Sequence, residues 1–196
     1  MAKVIRRYNS TIYGNYRLAG LKYGSIIGGV IGLLVLLYRL LSPEHYLTTP
    51  ENYITDGVML AGILLTTYMY RESLPEKKST LNELLRMGLW TGVIASVVYG
   101  LLLWLWCGVM FPDMVETYVE QRIAVMPKAE SSAEAKVAVE LVKNYGAGDW
   151  AFIGAFRNGV MSIIMVFVAA LIFRNENAPV RKKENKNDNE ENASKD

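Results

Sequence analysis

Residues Met87–Phe111, MGLWTGVIASVVYGLLLWLWCGVMF, run for twenty-five positions without a charged side chain. As a helix rising about 1.5 Å per residue, this run reaches roughly 37 Å. The hydrocarbon core of a bilayer is about 30 Å thick. The segment can therefore cross a membrane with some tilt. Small residues recur along it at four-residue spacing: Gly88, Gly92, Ser96 and Gly100. In lipid, apolar helices gain little by hiding apolar surface from one another, and such a row lets a second backbone approach closely. The expected class is an all-α integral membrane protein organised around this span.

Three further spans fit the remaining apolar runs. Residues 23–41 carry a second small-residue row, Gly24, Gly28 and Gly32, and stop before Pro43. Residues 53–70 follow Pro50 and hold Asp56, Thr66 and Thr67, which makes this the shortest and most polar span. Residues 150–173 contain Arg157 and Asn158. The expected organisation is a four-helix transmembrane domain over residues 23–173, with spans at 23–41, 53–70, 87–111 and 150–173. A basic, tyrosine-rich arm (1–22) precedes it. A tail (174–196) rich in Lys, Asn and Glu follows, with too few apolar residues to fold. Each small-residue row reads as a helix-packing seam within the chain, the row of span 3 facing that of span 1. The alternative is a seam between two copies.

The polar segments carry their own signals. Thr80-Leu81-Asn82-Glu83 has the pattern of a capping box, which predicts a helix that starts at the membrane surface and continues into span 3. Residues 112–149 predict an external hairpin of two short amphipathic helices broken around Met126–Pro127. Val115, Val119 and Ile123 share one helical face; Ala133, Val137, Leu141 and Tyr145 share another. Ser131 and Glu134 form a second capping pattern, and Gly146 a stop. The hairpin either presents solvated outer faces or offers a docking surface around Tyr118, Arg122, Leu141 and Tyr145.

Orientation follows from the 21 Lys and Arg residues. Placing both termini in the cytoplasm puts fifteen of them on that side, as the positive-inside rule requires. Tyr38, Tyr53, Trp104, Trp106, Trp150 and Phe152 then gather at the outer interface. Tyr23, Tyr68, Tyr70, Trp90 and Phe173 gather at the inner one. The basic arm reads as a membrane-surface segment rather than a nucleic-acid contact, because it abuts a span.

No HExxH, CxxC, GxSxG or phosphate-binding glycine loop is present, so no enzymatic activity, cofactor or metal is expected. His45 is the only histidine and sits in a loop; Cys107 is the only cysteine and sits in an apolar run. Both read as structural, one solvated and one buried. Asp56 and Arg157 stand apart. A charge at mid-bilayer costs at least about 2.5–3.5 kcal/mol. With Tyr53 and Phe152 as interface markers, the two charges differ in depth by roughly 3 Å. Either they pair and join spans 2 and 4, or each snorkels to the interface alone, or they belong to a polar site or pathway.

One resemblance runs through the chain. Tyr70-Arg71-Glu72 closes span 2, and Leu84-Leu85-x-x-Gly88 opens span 3. Ile94-Ala95-Ser96-x-x-Tyr99, Trp104, Phe111-Pro112-Asp113 and Tyr118 follow. This order resembles the small four-span proteins of domain of unknown function 4199, frequent in Bacteroidetes. Ser79-Thr80-Leu81 replaces the glycine-plus-aromatic lead-in to span 3 expected of that family. The resemblance implies a bacterial inner-membrane location and the four-span plan; it brings no activity and no functional residues. The leading expectation is a non-enzymatic scaffold or accessory subunit. Its partners would be the bilayer and either other envelope proteins or a second copy of the chain. The alternative is a small oligomeric transporter or channel using Asp56 and Arg157, with Asn158 and Thr66.

Overall fold

The computed structural model describes residues 15–41, 49–74, 79–125 and 133–174. Among these the secondary structure is entirely helical: α1 (Tyr16–Leu41), α2 (Thr49–Ser73), α3 (Leu81–Leu105), α4 (Asp113–Val125), α5 (Ala133–Lys143) and α6 (Ala147–Phe173). A single π turn, Trp106–Met110, extends α3. The basic arm up to Gly14, His45, the Ser131 cap and the tail from Asn175 lie outside the described residues.

The helices begin where the chain supplies caps. Asn15 Oδ1 accepts from the Arg17 amide, so α1 starts seven residues before its apolar stretch. In its first two turns Arg17 and Lys22 lie over the rings of Tyr16 and Tyr23. Thr80 and Glu83 form the reciprocal capping box: Glu83 N donates to Thr80 Oγ1 (3.3 Å), and Thr80 N donates to Glu83 Oε2 (3.1 Å). Gly146 does not stop α5, which ends at Lys143. Its amide instead donates to Asp149 Oδ2 at 2.8 Å and opens α6. The π turn has a local cause. Pro112 has no amide hydrogen and disfavours α geometry at Phe111. The Phe111 amide becomes the last donor and reaches Trp106 O at 2.7 Å.

Three of these helices are long and apolar enough to cross a membrane: Tyr16–Leu41, Leu81–Met110 and Ala147–Phe173. Their outward faces expose large apolar side chains such as Leu33, Val97, Leu101, Ile163 and Phe167. A water-soluble surface rarely carries so continuous an apolar belt. The chain is a helical membrane protein. α2 is as long as the others, but Thr55, Asp56, Thr66 and Thr67 dilute its apolar character.

α3 sits between α1 and α6, and α2 closes the bundle against α1 and α6. The small-residue rows set this order, though not by meeting each other. A Cβ added at Gly24 would lie 2.6 Å from Thr91 O, and one at Gly28 2.5 Å from Ala95 O. The α1 row therefore lies directly on the backbone of α3. The α3 row faces the other way: Gly88 meets Val166, Gly92 meets Ser162, and Gly100 meets Ala155, all on α6. The expected row-to-row seam between spans 1 and 3 is thus corrected. Gly88, Gly92 and Gly100 lie on a different face of α3 from Thr91 and Ala95, so one helix can be approached closely from two directions. The contact order also fixes directions. Positions rise together along α1 and α3 and run oppositely along α3 and α6, so α1 and α3 are parallel and α6 is antiparallel to both.

Interface aromatics divide in a way that spacing alone does not show. Tyr53, Phe152 and Trp104 are exposed, whereas Trp150 is buried in the core with Cys107 and Met114, and Trp106 is buried beside Gly32 of α1. Those two rings are packing residues, not membrane anchors. In the hairpin, Val115, Val119 and Ile123 of α4 pack on the core. On α5 the inward residue is Val142, while Val137 and Leu141 are 64% and 57% exposed. Of the face shared by Val137, Leu141 and Tyr145, the first two are thus exposed and Tyr145 packs on the core.

A glycine pair tests the seam. Gly28 has no room for a side chain, whereas nothing lies within 4 Å of a Cβ at Gly29. Gly28→Ala is expected to destabilise by about 1–3 kcal/mol through overpacking. Gly29→Ala should be neutral or stabilising by up to about 1 kcal/mol. Chemical unfolding in detergent micelles measures both; equal effects would remove the seam from the explanation.

Candidate functional site

The polar residues collect at one end of the bundle, where α1 and α3 finish and α2 and α6 begin. Asp56 lies in the second turn of α2, and Arg157 in the third turn of α6. The two helices run side by side in the same direction, which brings these side chains to one level. Arg157 Nη2 donates to Asp56 Oδ2 at 2.7 Å, and Nη1 donates to Oδ1 at 3.1 Å. Two parallel bonds of this kind match the planar guanidinium to the carboxylate. The pair is part-buried, with side-chain exposures of 35% for Arg157 and 25% for Asp56.

Neighbouring groups complete the cluster. Arg157 Nη1 also donates to Thr55 Oγ1 (3.3 Å) and to Asn158 Oδ1 (3.2 Å). Thr55 Oγ1 can accept because its own hydrogen goes to Asn52 O at 2.9 Å. Asn158 is 3% exposed. Its bond to Arg157 fixes the amide orientation, since the reverse would set donor against donor. Asn158 Nδ2 is then left with no hydrogen-bond partner among the described residues.

Arg39 enters from the last turn of α1 and is 1% exposed. Its Nη1 donates to Cys107 Sγ at 3.9 Å. Between Arg39 and Arg157 lies a cavity of about 80 Å³, also lined by Thr55, Tyr99, Trp150 and Asn158. A wider recess of about 310 Å³, bounded by Arg39, Phe111, Asp113 and Thr117, adjoins it under the hairpin.

The residues singled out from the sequence fall into three groups. Asp56, Arg157 and Asn158 meet. Thr66 does not join them: its hydroxyl donates to Gly62 O and Ile63 O, further along α2. Of the hairpin surface, Leu141 is exposed, but Tyr145 is half-buried with its ring edge-on to Trp150 at 5.6 Å. The side chains of Tyr118 and Arg122 lie outside the described residues. Arg39 and Thr55 are additions. Sequence position puts Arg39 at the outer edge of span 1, whereas the structure buries it. Its one usable signal is that Leu40 and Leu41 follow it, so it lies inside the apolar run rather than beyond it.

The fold and this cluster define a helical membrane protein with a polar centre near one end of its bundle. The family model described as "Protein of unknown function (DUF4199)" matches residues 22–175, and the chain belongs to that family. Neither the curated proteins nor the solved structures returned a match.

The pair should behave as a coupled unit. Arg157→Leu or Asp56→Leu alone leaves one charge without its partner and is expected to cost about 2–3 kcal/mol. The double replacement should cost less than the sum, with a coupling of about 1–2 kcal/mol. Chemical denaturation of all four proteins in one detergent gives the cycle. Additive losses would show that each charge is solvated independently.

Proposed function

We propose that the chain is a four-span protein of the bacterial inner membrane that acts as a non-enzymatic scaffold or accessory subunit. Both termini lie in the cytoplasm and the α4–α5 hairpin lies outside. α2 is the fourth span in this reading. Its support is its 25-residue length and its course beside α6, from the Arg157–Asp56 pair at one end to the Tyr68–Phe173 ring contact (5.8 Å) at the other. The alternating helix directions put the basic connector between α2 and α3 on the same side as both termini, in keeping with the positive-inside rule.

The observation that carries the scaffold reading is the way the buried hydroxyls are used. Thr66, Thr91, Ser96 and Ser162 each donate to a carbonyl three or four residues back on their own helix. Such bonds satisfy polar groups inside a packed interior. Transport sites instead aim freed polar groups at the bilayer midplane, usually from broken helices. The closed bidentate pair of Arg157 and Asp56 also favours a fastening over a pathway, so the transporter alternative gains no support. The exposed Val137 and Leu141 then leave the hairpin as the surface for a protein partner.

Two measurements follow. With Cys107→Ser as background, Leu141→Cys should react with a membrane-impermeant maleimide in intact spheroplasts, and Arg174→Cys only after lysis. The reverse pattern would invert the topology. Deleting residues 131–145 should strip co-purifying envelope proteins while the membrane domain still accumulates. Unchanged partners after that deletion would remove the hairpin as a docking surface.

A further inference from the structure

The end of the bundle opposite the Asp56–Arg157 pair is cationic. A second buried cluster sits there, built from Ala19 and Tyr23 of α1, Tyr70 and Leu74 at the end of α2, Leu84 and Met87 of α3, and Ala170 of α6. Each of the four helices carries a cation at that level: Lys22 beside Tyr23, Arg71 beside Tyr70, Arg86 beside Met87, and Arg174 just past Phe173. Arg17 adds another at the start of α1. The described residues at this end hold two carboxylates, Glu72 and Glu83, and Glu83 is committed to the Thr80 cap. Arg71 stands out in the set. It lies in the last turn of α2 and is half-buried, and its Nε is closed to solvent with no hydrogen-bond partner among the described residues. A buried donor in that state is costly. A phosphodiester presents two oxygens that match one edge of a guanidinium, so it can take Nε and Nη together. Exposed apolar side chains flank the cations: Leu21 beside Lys22, Tyr68 and Met69 before Arg71, and Leu89 and Trp90 one turn after Arg86. A soluble anion has no use for such flanks, whereas a lipid fits both, with its headgroup at the cations and its chains along the apolar residues.

We propose that this end of the bundle binds an anionic phospholipid, with Arg71 holding the phosphate and Lys22 and Arg86 raising the positive potential around it. Such binding requires a lipid-facing bundle and neither a protein partner nor a particular orientation. In the orientation proposed above, the lipid lies in the inner leaflet.

The test compares two lipids on the full chain purified in maltoside micelles, which carry no phosphate. Fluorescence anisotropy measures the affinity for acyl-labelled phosphatidylglycerol and for phosphatidylcholine, whose headgroup has the same phosphate but no net charge. Phosphatidylglycerol should bind about tenfold tighter, and Arg71→Gln should remove that preference. Lys143→Gln takes the same charge from the exposed end of α5 and should leave both affinities unchanged. If Arg71→Gln does not fold, Arg71→Lys keeps the charge without the planar fork and should weaken phosphatidylglycerol severalfold while leaving phosphatidylcholine unchanged. Equal affinity for the two lipids, or equal losses from Arg71→Gln and Lys143→Gln, would overturn the proposal. So would displacement of phosphatidylglycerol by millimolar inorganic phosphate at constant ionic strength, which would make the ligand a soluble anion.

Discussion

Two helices reach the backbone of α3 from different sides, and the remaining contacts of the membrane domain are arranged around that close approach. On one side the glycines of α1 set its backbone against Thr91 and Ala95. On the other, the glycines of α3 receive Val166, Ser162 and Ala155 of α6. In lipid this packing is held by dispersion over many short contacts rather than by exclusion of water. One row belongs to the visiting helix and the other to the host. Each seam thus sets a smooth strip against a filled one, and both rows are used up within a single chain.

α2 is held differently. It is the least apolar of the long helices, and it reaches close contact at Gly62, where Ile27 of α1 fills the space beside it. Its ends are fixed by specific interactions with α6: a bidentate ion pair at one and an aromatic contact at the other. A charged pair inside a membrane domain is tolerated when both ions have their hydrogen bonds supplied. Thr55 and Asn158 supply additional acceptors here. Within the same cluster the buried Asn158 Nδ2 has no hydrogen-bond partner among the described residues. Arg157 thus ties α2 to α6 through Asp56 and Thr55 while it lines the cavity.

Much of this fold was legible in the sequence because membrane helices write their length and small-residue spacing directly into the chain. The family, the long helices, the Thr80 capping box and the two hairpin helices could be read that way. The partner of each row could not, because four-residue spacing marks a strip on a helix without saying which neighbour it faces. Asp56 and Arg157 drew attention because charge is rare in apolar runs. Arg39 did not stand out because a charge at the edge of a span reads as facing the interface, and only the course of α1 past Cys107 shows that it is buried. Trp106 and Trp150 misled for a similar reason: aromatic position along a span does not reveal whether a ring faces lipid or core. On α5, the period was visible, but whether Leu141 or Val142 turned inward depended on the core beneath it.

Disulfide trapping tests the two-sided packing of α3 most directly. A Cβ at Gly159 would lie 4.0 Å from that of Ser96, and one at Gly32 would lie 3.4 Å from that of Leu102. Disulfides form across Cβ separations of about 3.5–4.5 Å. On a Cys107→Ser background in native membranes, the cysteine pairs 96/159 and 32/102 should each close within one chain under mild oxidation. Failure of either pair in an intact, inserted protein, or covalent dimers from the single cysteines at 32 or 96, would contradict an internal seam on each side of α3.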